Sequence, residues 1–161
     1  MIFLSVGSTQ PFDRLVRTVD QWAAGAGRDD VFGQIGDGQY EPQTFGWANY
    51  VTPTRWNELV RASEFVISHA GSGSIIGALT ARKPIVVLPR RSSLKEHWND
   101  NQVTAALALS DRVGLHVAMD EPQLLRVLSG IAESGAPAME ATSRFAEEPL
   151  IARIREFVDL T

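Results

Sequence analysis

Two consecutive strand–helix units between residues 65 and 102 constrain the fold of this chain most strongly. Phe65–Ser68 and Ile85–Leu88 are short, almost entirely apolar runs, which are typical of strands buried inside a parallel sheet. Between them a turn of glycine and serine opens a predicted helix, which Arg82-Lys83-Pro84 ends. A strand, a helix and a second strand in this order form a βαβ unit, and such units build open α/β sheets.

The rest of the chain continues this alternation of strands and helices. Further strands are predicted at Ile2–Val6, Val31–Ile35, Trp47–Val51 and Val113–Val117. Further helices are predicted from Pro11 to Gly25, after Thr54, from Trp98 to Leu109, from Glu121 to Ala132 and from Ser143 to Leu160. The pattern predicts a single α/β domain over residues 1–161, with a Rossmann-like, mainly parallel sheet and helices on both of its faces.

The composition argues against several classes of function. A net charge of -4 argues against nucleic-acid binding, which ordinarily needs a basic surface. The absence of cysteine leaves neither a disulfide framework nor thiolate chemistry. Because no apolar run approaches the ~18 residues of a membrane span and Met1–Gly7 predicts a first strand rather than a signal peptide, we expect a cytoplasmic protein. Any contact with a membrane is expected to be peripheral and made through a partner.

Two loops of small residues follow predicted strands, at the edge where open α/β sheets bind ligands. One is Gly71-Ser72-Gly73-Ser74 and the other is Gly7-Ser8-Thr9. Small residues let the backbone approach an anion closely, and a helix N-terminus presents free N–H groups to it. We therefore expect a phosphate-bearing ligand here, although a tight turn with a serine or threonine cap also explains each loop. The spacing fits neither a Walker A loop nor a GxGxxG fingerprint.

A group of polar residues follows the strand at Ile85–Leu88. A helix beginning near Glu96 would place His97 and Asn101 one turn apart, with Gln102 beside them. Carboxylate, imidazole and amide groups at the carboxyl end of a strand suit hydrogen bonding to sugar hydroxyls. The alternative is a solvated helix start, in which the glutamate interacts favourably with the helix dipole.

Charged and aromatic residues near this edge have two readings as well. Arg90 and Arg91 directly follow a strand and could meet a phosphate or a sugar carboxylate, which arginine binds through paired hydrogen bonds. His69 ends the strand before the glycines, where a structural role and ligand binding fit the sequence equally well. Trp22 and Trp56 are most simply core residues. The three histidines show no metal-ligand spacing, and no Ser/His/Asp triad is evident.

Taken together, these motifs resemble a known family. The chain is similar to the C-terminal, donor-binding half of family 28 glycosyltransferases at Ser68-His69-Ala70-Gly71-Ser72-Gly73-Ser74, at Lys83-Pro84, at Pro89-Arg90-Arg91 and at Glu96-His97-x-Asn99-Asp100-x-Gln102. Its first 15 residues resemble one branch, the small subunits of two-subunit enzymes. That branch includes bacterial exopolysaccharide glycosyltransferases and the catalytic subunit of the lipid-linked N-acetylglucosamine transferase. The resemblance covers roughly residues 1 to 118.

The resemblance implies one half of a GT-B fold, which binds a UDP-sugar and uses no cofactor and no metal. A separate, membrane-associated subunit would bind a lipid-linked saccharide acceptor. Together they would transfer a hexose or a glucuronic acid, with inversion, to a polyprenyl-diphosphate-linked acceptor in exopolysaccharide synthesis. The general base would come from the partner, and His97 is the one local candidate for that role.

The resemblance also assigns residues to parts of the donor. The assigned residues are Gly7, Ser8 and Gly71–Ser74 for the diphosphate, Glu96, His97 and Gln102 for the sugar, and Tyr50–Pro53 for the uracil. The chain departs from the family pattern at one position. Single-chain members carry a glutamate that binds the ribose on the helix after the glycine loop, where this chain has Gly77.

Two other functions fit the sequence. A non-catalytic module that binds a nucleotide-sugar or regulates a partner is suggested by Gly77 and by the lack of an acceptor domain. A stand-alone epimerase or hydrolase fits less well, because half of a GT-B fold would leave the sugar open to water. The predicted C-terminal helix at about 145–160 has an apolar stripe, which would either dock a partner or pack on its own domain. The stripe consists of Ile151, Ile154, Phe157 and Val158.

Overall fold

The computed structural model describes residues 1–136 and confirms the predicted Rossmann-like α/β fold. The strands of this part of the chain are β1 Ile2–Ser5, β2 Val31–Gln34, β3 Gly46–Ala48, β4 Val66–His69, β5 Ile85–Leu88 and β6 Leu115–Val117. Its helices are α1 Asp13–Ala26, α2 Pro53–Ala62, α3 Ser72–Thr80, α4 Asn101–Ala108 and α5 Glu121–Ser134, with a 3₁₀ turn at Ser92–Leu94. The predicted C-terminal helix and its apolar stripe lie outside the described residues.

The strands form one sheet in the order β3-β2-β1-β4-β5-β6, and every pairing between them is parallel. The chain runs outward from β1 to β3 and then returns to place β4 on the other side of β1. The direction of strand order therefore reverses between β1 and β4, where Leu4 lies opposite Ile67 and Ser5 opposite Ser68. In an open α/β sheet the loops that leave such neighbouring strands diverge, and a crevice forms between them.

Two apolar layers pack on the two faces of the sheet. On one face, α1 and α5 cover strand residues such as Leu4 and Val86. On the other, α2, α3 and α4 cover alternate strand residues such as Phe3 and Val87. Because successive side chains of a strand point to opposite faces, a strand covered on both sides is apolar at nearly every position. This packing is the reason why the largely apolar runs identified β4 and β5 correctly.

The helix N-termini differ in how they are capped. The Thr52 hydroxyl accepts a hydrogen bond from Arg55 N at 3.2 Å, so α2 begins at Pro53 and not after the predicted cap at Thr54. By contrast, no side chain among residues 1–136 caps α1 or α3, whose flanking residues are Phe12 and Gly71. The backbone N–H groups in the first turn of both helices are therefore free of a side-chain acceptor.

The helix predicted from near Glu96, or from Trp98, begins later in the structure. It starts at Asn101, and residues 92–100 form the 3₁₀ turn and a loop. The Asp100 carboxylate accepts hydrogen bonds from both N and Oγ of Ser92, each at 2.8 Å, and so folds this loop back on itself. The prediction that His97 and Asn101 share one face of a helix was therefore wrong, because a contact eight residues back along the chain competes with the helix start.

Candidate functional site

A cavity of about 540 Å³ opens at the carboxyl edge of the sheet, between the loops that follow β1 and β4. It contains eight of the predicted site residues, which are Gly7, Ser8, Thr9, His69, Gly71, Ser72, Gly73 and Ser74. The remaining lining residues come from β1, β2, the loop between β3 and α2, and the start of α2, and they are Ser5, Gln34, Tyr50, Val51, Pro53, Trp56 and Asn57. The structure thus brings both small-residue loops and the predicted uracil loop into one place.

The N-terminus of α3 gives one wall of this cavity an affinity for anions. Ser72 and Gly73 are exposed, and the first helical hydrogen bond runs from Ile75 N to Gly71 O at 3.1 Å. The N–H groups before Ile75 therefore have no partner within the helix and lie at the positive end of its dipole. Such an arrangement binds phosphate or carboxylate oxygens.

The two glycine loops close on the imidazole ring of His69. A Cβ atom at Gly7 would lie 2.5 Å from His69 Nε2, and a Cβ at Gly71 would come closer still to the same ring. Gly7 also has φ of +82°, a conformation that disfavours other residues. Both positions need glycine because the histidine occupies the space of a side chain, which is a requirement independent of any ligand.

A hydrogen-bonded chain connects the buried Arg90 to Ser74 through this ring. Arg90 Nη1 lies 3.1 Å from His69 Nδ1, and His69 Nε2 lies 3.4 Å from Ser74 Oγ. Burial of the ring, followed by the nearby Arg90 charge, lowers the pKa of His69 to about 4. The imidazole is therefore neutral near pH 7. The Gln102 side chain fixes the backbone at the Arg90 end of these hydrogen bonds, since its Oε1 accepts a hydrogen bond from Arg90 N at 3.2 Å.

Arg90 lies behind the loops and not in the cavity. Only 1% of its surface is exposed. Its Nη2 donates to Val6 O at 2.8 Å and to Gln10 O at 2.5 Å, so it holds the ends of the Gly7 loop. Its guanidinium also stacks 4.9 Å from the centre of the Phe12 ring. Burial lowers the pKa of this guanidinium to about 10, which still leaves it charged near pH 7.

The polar residues predicted to contact the sugar all lie within residues 1–136, and none of them lines the cavity. The Glu96 carboxylate forms a paired salt bridge with Arg14, with N–O distances of 2.6 and 2.7 Å. His97 packs against the Trp98 ring at 4.4 Å between centroids, and Asn101 is exposed at the start of α4. Gln102 is buried beneath the loops. The salt bridge joins the loop of residues 92–100 to α1.

Trp56 lines the cavity, whereas the sequence suggested a simple core residue. Its Nε1–H donates to Ser5 Oγ at 3.2 Å, and the far edge of its ring faces α3 at Gly77. A Cβ atom added at Gly77 would lie 2.6 Å from Trp56 Cη2. The indole ring therefore occupies the space that a longer side chain at position 77 would need.

Gln34 is a second residue that sequence reasoning missed. Its Oε1 accepts a hydrogen bond from Ser5 Oγ at 2.9 Å, and its Nε2 donates to Gly7 O at 2.8 Å. The available signal was its place at the end of a buried strand, where a polar side chain reaches the ligand-binding edge. Gln34 holds the Gly7 loop from the side opposite to Arg90.

Two negative findings concern the described residues alone. Residues 1–136 contain no group of three or more His, Cys, Asp and Glu side chains that could hold a metal ion. None of the helices in that range combines the length and apolar character needed to cross a bilayer.

The parallel sheet and the cavity at its carboxyl edge define a Rossmann-like α/β domain. The chain belongs to the family described as the glycosyltransferase family 28 C-terminal domain, whose model matches residues 1–153. The resemblance found in the sequence motifs is therefore confirmed.

Individual relatives agree with this assignment. The chain is 29% identical over 106 residues to the UDP-N-acetylglucosamine transferase subunit ALG13 of Homo sapiens, which covers 60% of this chain and 9% of that protein. A solution structure of ALG13 superimposes with a TM-score of 0.61 at 18% identity, covering 95% of this chain and 93% of that one. Os79 from O. sativa gives a TM-score of 0.60 at 16% identity, covering 83% of this chain and 32% of that one. The chain thus matches about a third of the length of Os79 and a small part of human ALG13.

Proposed function

We propose that this chain binds the nucleotide-sugar donor of a glycosyltransferase and carries its leaving diphosphate. The observation that carries the proposal is the uncapped N-terminus of α3, which opens together with the Gly7 loop on one cavity. Free N–H groups, the helix dipole and the hydroxyls of Ser72 and Ser74 match the charge and hydrogen-bonding needs of a diphosphate. Membership of the glycosyltransferase family supplies the reaction class.

The nucleotide in this proposal is UDP. The name of the human relative specifies a UDP-sugar, and the aromatic side chains of Tyr50 and Trp56 line the cavity. A planar base would pack against an aromatic ring here, beside the backbone of Tyr50–Pro53. The sugar would extend from the diphosphate towards the loop of residues 92–100 and the start of α4, which carry the predicted contacts His97 and Asn101. Glu96 would hold that loop in place through its salt bridge with Arg14.

The reaction would be a direct displacement with inversion at the anomeric carbon. As the bond to the sugar breaks, negative charge grows on the diphosphate, and the N-terminus of α3 would stabilise it without a metal ion or an organic cofactor. The hydroxyl of the acceptor would lose its proton to a base on a second subunit. His97 is the candidate on this chain.

The second subunit is itself part of the proposal. The relative is named as a subunit, and the cavity in this domain is open to solvent, so a second domain could close it. We propose a membrane-associated partner that binds a polyprenyl-diphosphate-linked saccharide, with exopolysaccharide as the product and a hexose or glucuronic acid as the transferred sugar. This chain would then be cytoplasmic and would reach the membrane through that partner.

A non-catalytic binding module is the second candidate function. The observation in its favour is the place of Trp56, which excludes a carboxylate at position 77 from the cavity wall. Transfer of sugar by the chain together with an acceptor-binding partner would reject this candidate, and tight donor binding without transfer would support it.

Calorimetric titration with UDP, UDP-glucose, UDP-glucuronate and UDP-N-acetylglucosamine tests the proposal, with a dinucleotide as the negative ligand. We expect saturable UDP binding that Ser72→Ala weakens by about 1.5 to 3 kcal/mol, or roughly tenfold to a hundredfold in Kd. Thr80→Ala is the matched control, since Thr80 is exposed at the other end of the same helix. Equal affinity in both variants, or no binding with and without the partner, would reject the proposed site.

A further inference from the structure

Arg90 is a buried cation whose hydrogen-bond acceptors are all neutral. They are Val6 O, Gln10 O and His69 Nδ1, and its Nε has no partner among residues 1–136. The nearby carboxylate of Glu96 is hydrogen-bonded to Arg14 instead. A charge removed from water is ordinarily paired with an opposite charge. The positive charge beneath the two glycine loops is thus left without a directly bonded counter-ion, a few ångströms behind a cavity suited to anions.

The hydrogen bonds from Arg90 to Ser74 run in one direction. A guanidinium can donate but cannot accept, so His69 Nδ1 must be the acceptor of the bond from Arg90. In a neutral imidazole the hydrogen then resides on Nε2, which faces Ser74 Oγ. Because the serine oxygen accepts that hydrogen, its own O–H is available to donate to an acceptor in the cavity.

The glycine loops prevent the ring from leaving this orientation. Gly7 and Gly71 pack against the ring so closely that neither position has room for a Cβ. Gln102 holds the backbone of Arg90 from below. Ser74 is 8% exposed and lines the cavity, and its Oγ lies within hydrogen-bond distance of the fixed ring.

We infer that Arg90 is a positioning residue, which acts through His69 to aim the Ser74 hydroxyl at the diphosphate of the donor. The inference rests on the proposed function, because it assumes that a diphosphate occupies the cavity. It departs from the sequence-based expectation that Arg90 touches the ligand itself. The buried charge and the ordered hydrogen bonds would act on the diphosphate from behind the loops.

The charge on Arg90 also helps to keep the His69 imidazole in its neutral form. It is the second cause, after burial, of the low pKa of His69, which lies near 4 against an ordinary 6.5. Removing the charge should raise this pKa, while burial of the ring and the nearby His97 would still hold it below the ordinary value. The donor affinity of the variant would therefore begin to depend on pH at a higher pH than that of the native chain, whose affinity should be constant above about pH 5.

The first arm of the test uses nuclear magnetic resonance on the ligand-free chain with labelled histidine. We expect the Nε2–H form for His69 in the native protein and no titration of its ring above about pH 5. Arg90→Met should raise the pKa of His69 and mix the two tautomers, while Arg61→Met should do neither, since Arg61 is exposed near the far end of α2. An Nδ1–H form of His69 in the native protein, or an unchanged pKa and tautomer of His69 in Arg90→Met, would overturn the inference.

The second arm measures UDP and inorganic pyrophosphate binding. We expect Arg90→Met and Ser74→Ala each to weaken both ligands by about tenfold or more, and the double variant to be little worse than either single one. Arg90→Lys should retain part of the affinity, because it keeps the charge and loses the fork of donors. If Arg90→Met fails to fold, the UDP affinity of Arg90→Lys and the tautomer of His69 in the native chain test the inference instead.

The inference and the proposed function fail in different ways. If the native chain binds no nucleotide, alone or with its partner, the proposed function is rejected. Suppose that the native chain binds UDP, and that the losses of UDP affinity in Arg90→Lys and Ser74→Ala simply add or that neither variant loses affinity. The role of Arg90 in positioning Ser74 through His69 is then rejected, and the proposed function stands.

Discussion

Replacing Gly77 with alanine tests how firmly Trp56 holds its place in the cavity wall. The added Cβ would stand 2.6 Å from Cη2 and 2.8 Å from Cζ3 of the indole, whereas ordinary contacts are 3.4 Å or longer. The ring would therefore have to retreat by about 0.8 Å. Two contacts resist this movement, namely the hydrogen bond from Nε1 to Ser5 Oγ and the edge-to-face packing on Phe3 at 6.2 Å between centroids.

The expected loss of stability follows from two opposing effects. Overpacking a well-filled site costs about 1 to 3 kcal/mol. Replacing glycine by alanine inside a helix stabilises the folded state by about 0.5 to 1 kcal/mol, because alanine has the higher helix propensity. We therefore expect Gly77→Ala to lower the free energy of unfolding by about 1 to 2 kcal/mol, with a fall in Tm of about 2 to 8 °C for a domain of this size.

Urea unfolding followed by circular dichroism measures this loss, and two matched variants isolate its cause. Gly25→Ala is the control, because Gly25 is also helical and a Cβ there meets no described atom within 4 Å. It should gain about 0.4 to 1 kcal/mol. In a Trp56→Leu background the ring is absent, so Gly77→Ala should become stabilising by a similar amount.

Two results would refute the reasoning. One is a Gly77→Ala chain at least as stable as the native one, which would mean that the ring moves aside freely. The other is an equal loss with and without the Trp56 ring, which would place the conflict elsewhere in the structure. In either case Trp56 could not be what excludes a larger side chain from position 77.

Three further predictions concern other contacts. Gly7→Ala should destabilise the fold by about 2 kcal/mol or more in urea unfolding, because it combines a φ of +82° with a collision against His69, and a smaller loss would mean that the ring is loosely held. Burial raises the pKa of the Asp20 carboxyl, but hydrogen bonds from Tyr40, Gln43 and Thr44 lower it by more, so the net shift is downward. Its contribution to stability should therefore be full above the usual pKa of 3.8 and should fade as the pH drops through the lowered value, so acid unfolding should begin at a higher pH in Asp20→Asn; an identical acid transition would contradict this. Glu96→Gln should weaken the salt bridge with Arg14 and lower Tm, while the Kd values for UDP and UDP-glucose stay within about twofold of the native values, and a large loss of UDP-glucose affinity alone would show that Glu96 reaches the sugar.

Local patterns in the sequence were sufficient for the framework of this protein. A strand covered on both faces is apolar at nearly every position, so β4 and β5 were readable as short, largely apolar runs. Parallel strands end at the same edge, so the two small-residue loops were expected there before any contact was known. These inferences depend on neighbours within a few residues, and composition and periodicity record that kind of information directly.

The partners of the polar side chains were decided by the tertiary structure. Arg90 follows a strand at the ligand-binding edge, yet its acceptors at Val6 and Gln10 lie 84 and 80 residues away, and they draw the guanidinium behind the loops. Glu96 is bonded to Arg14, 82 residues away, and Trp56 reaches Ser5 across 51 residues. A buried charge or N–H group goes wherever an acceptor removes the cost of its desolvation, and no local pattern states where the fold will place that acceptor.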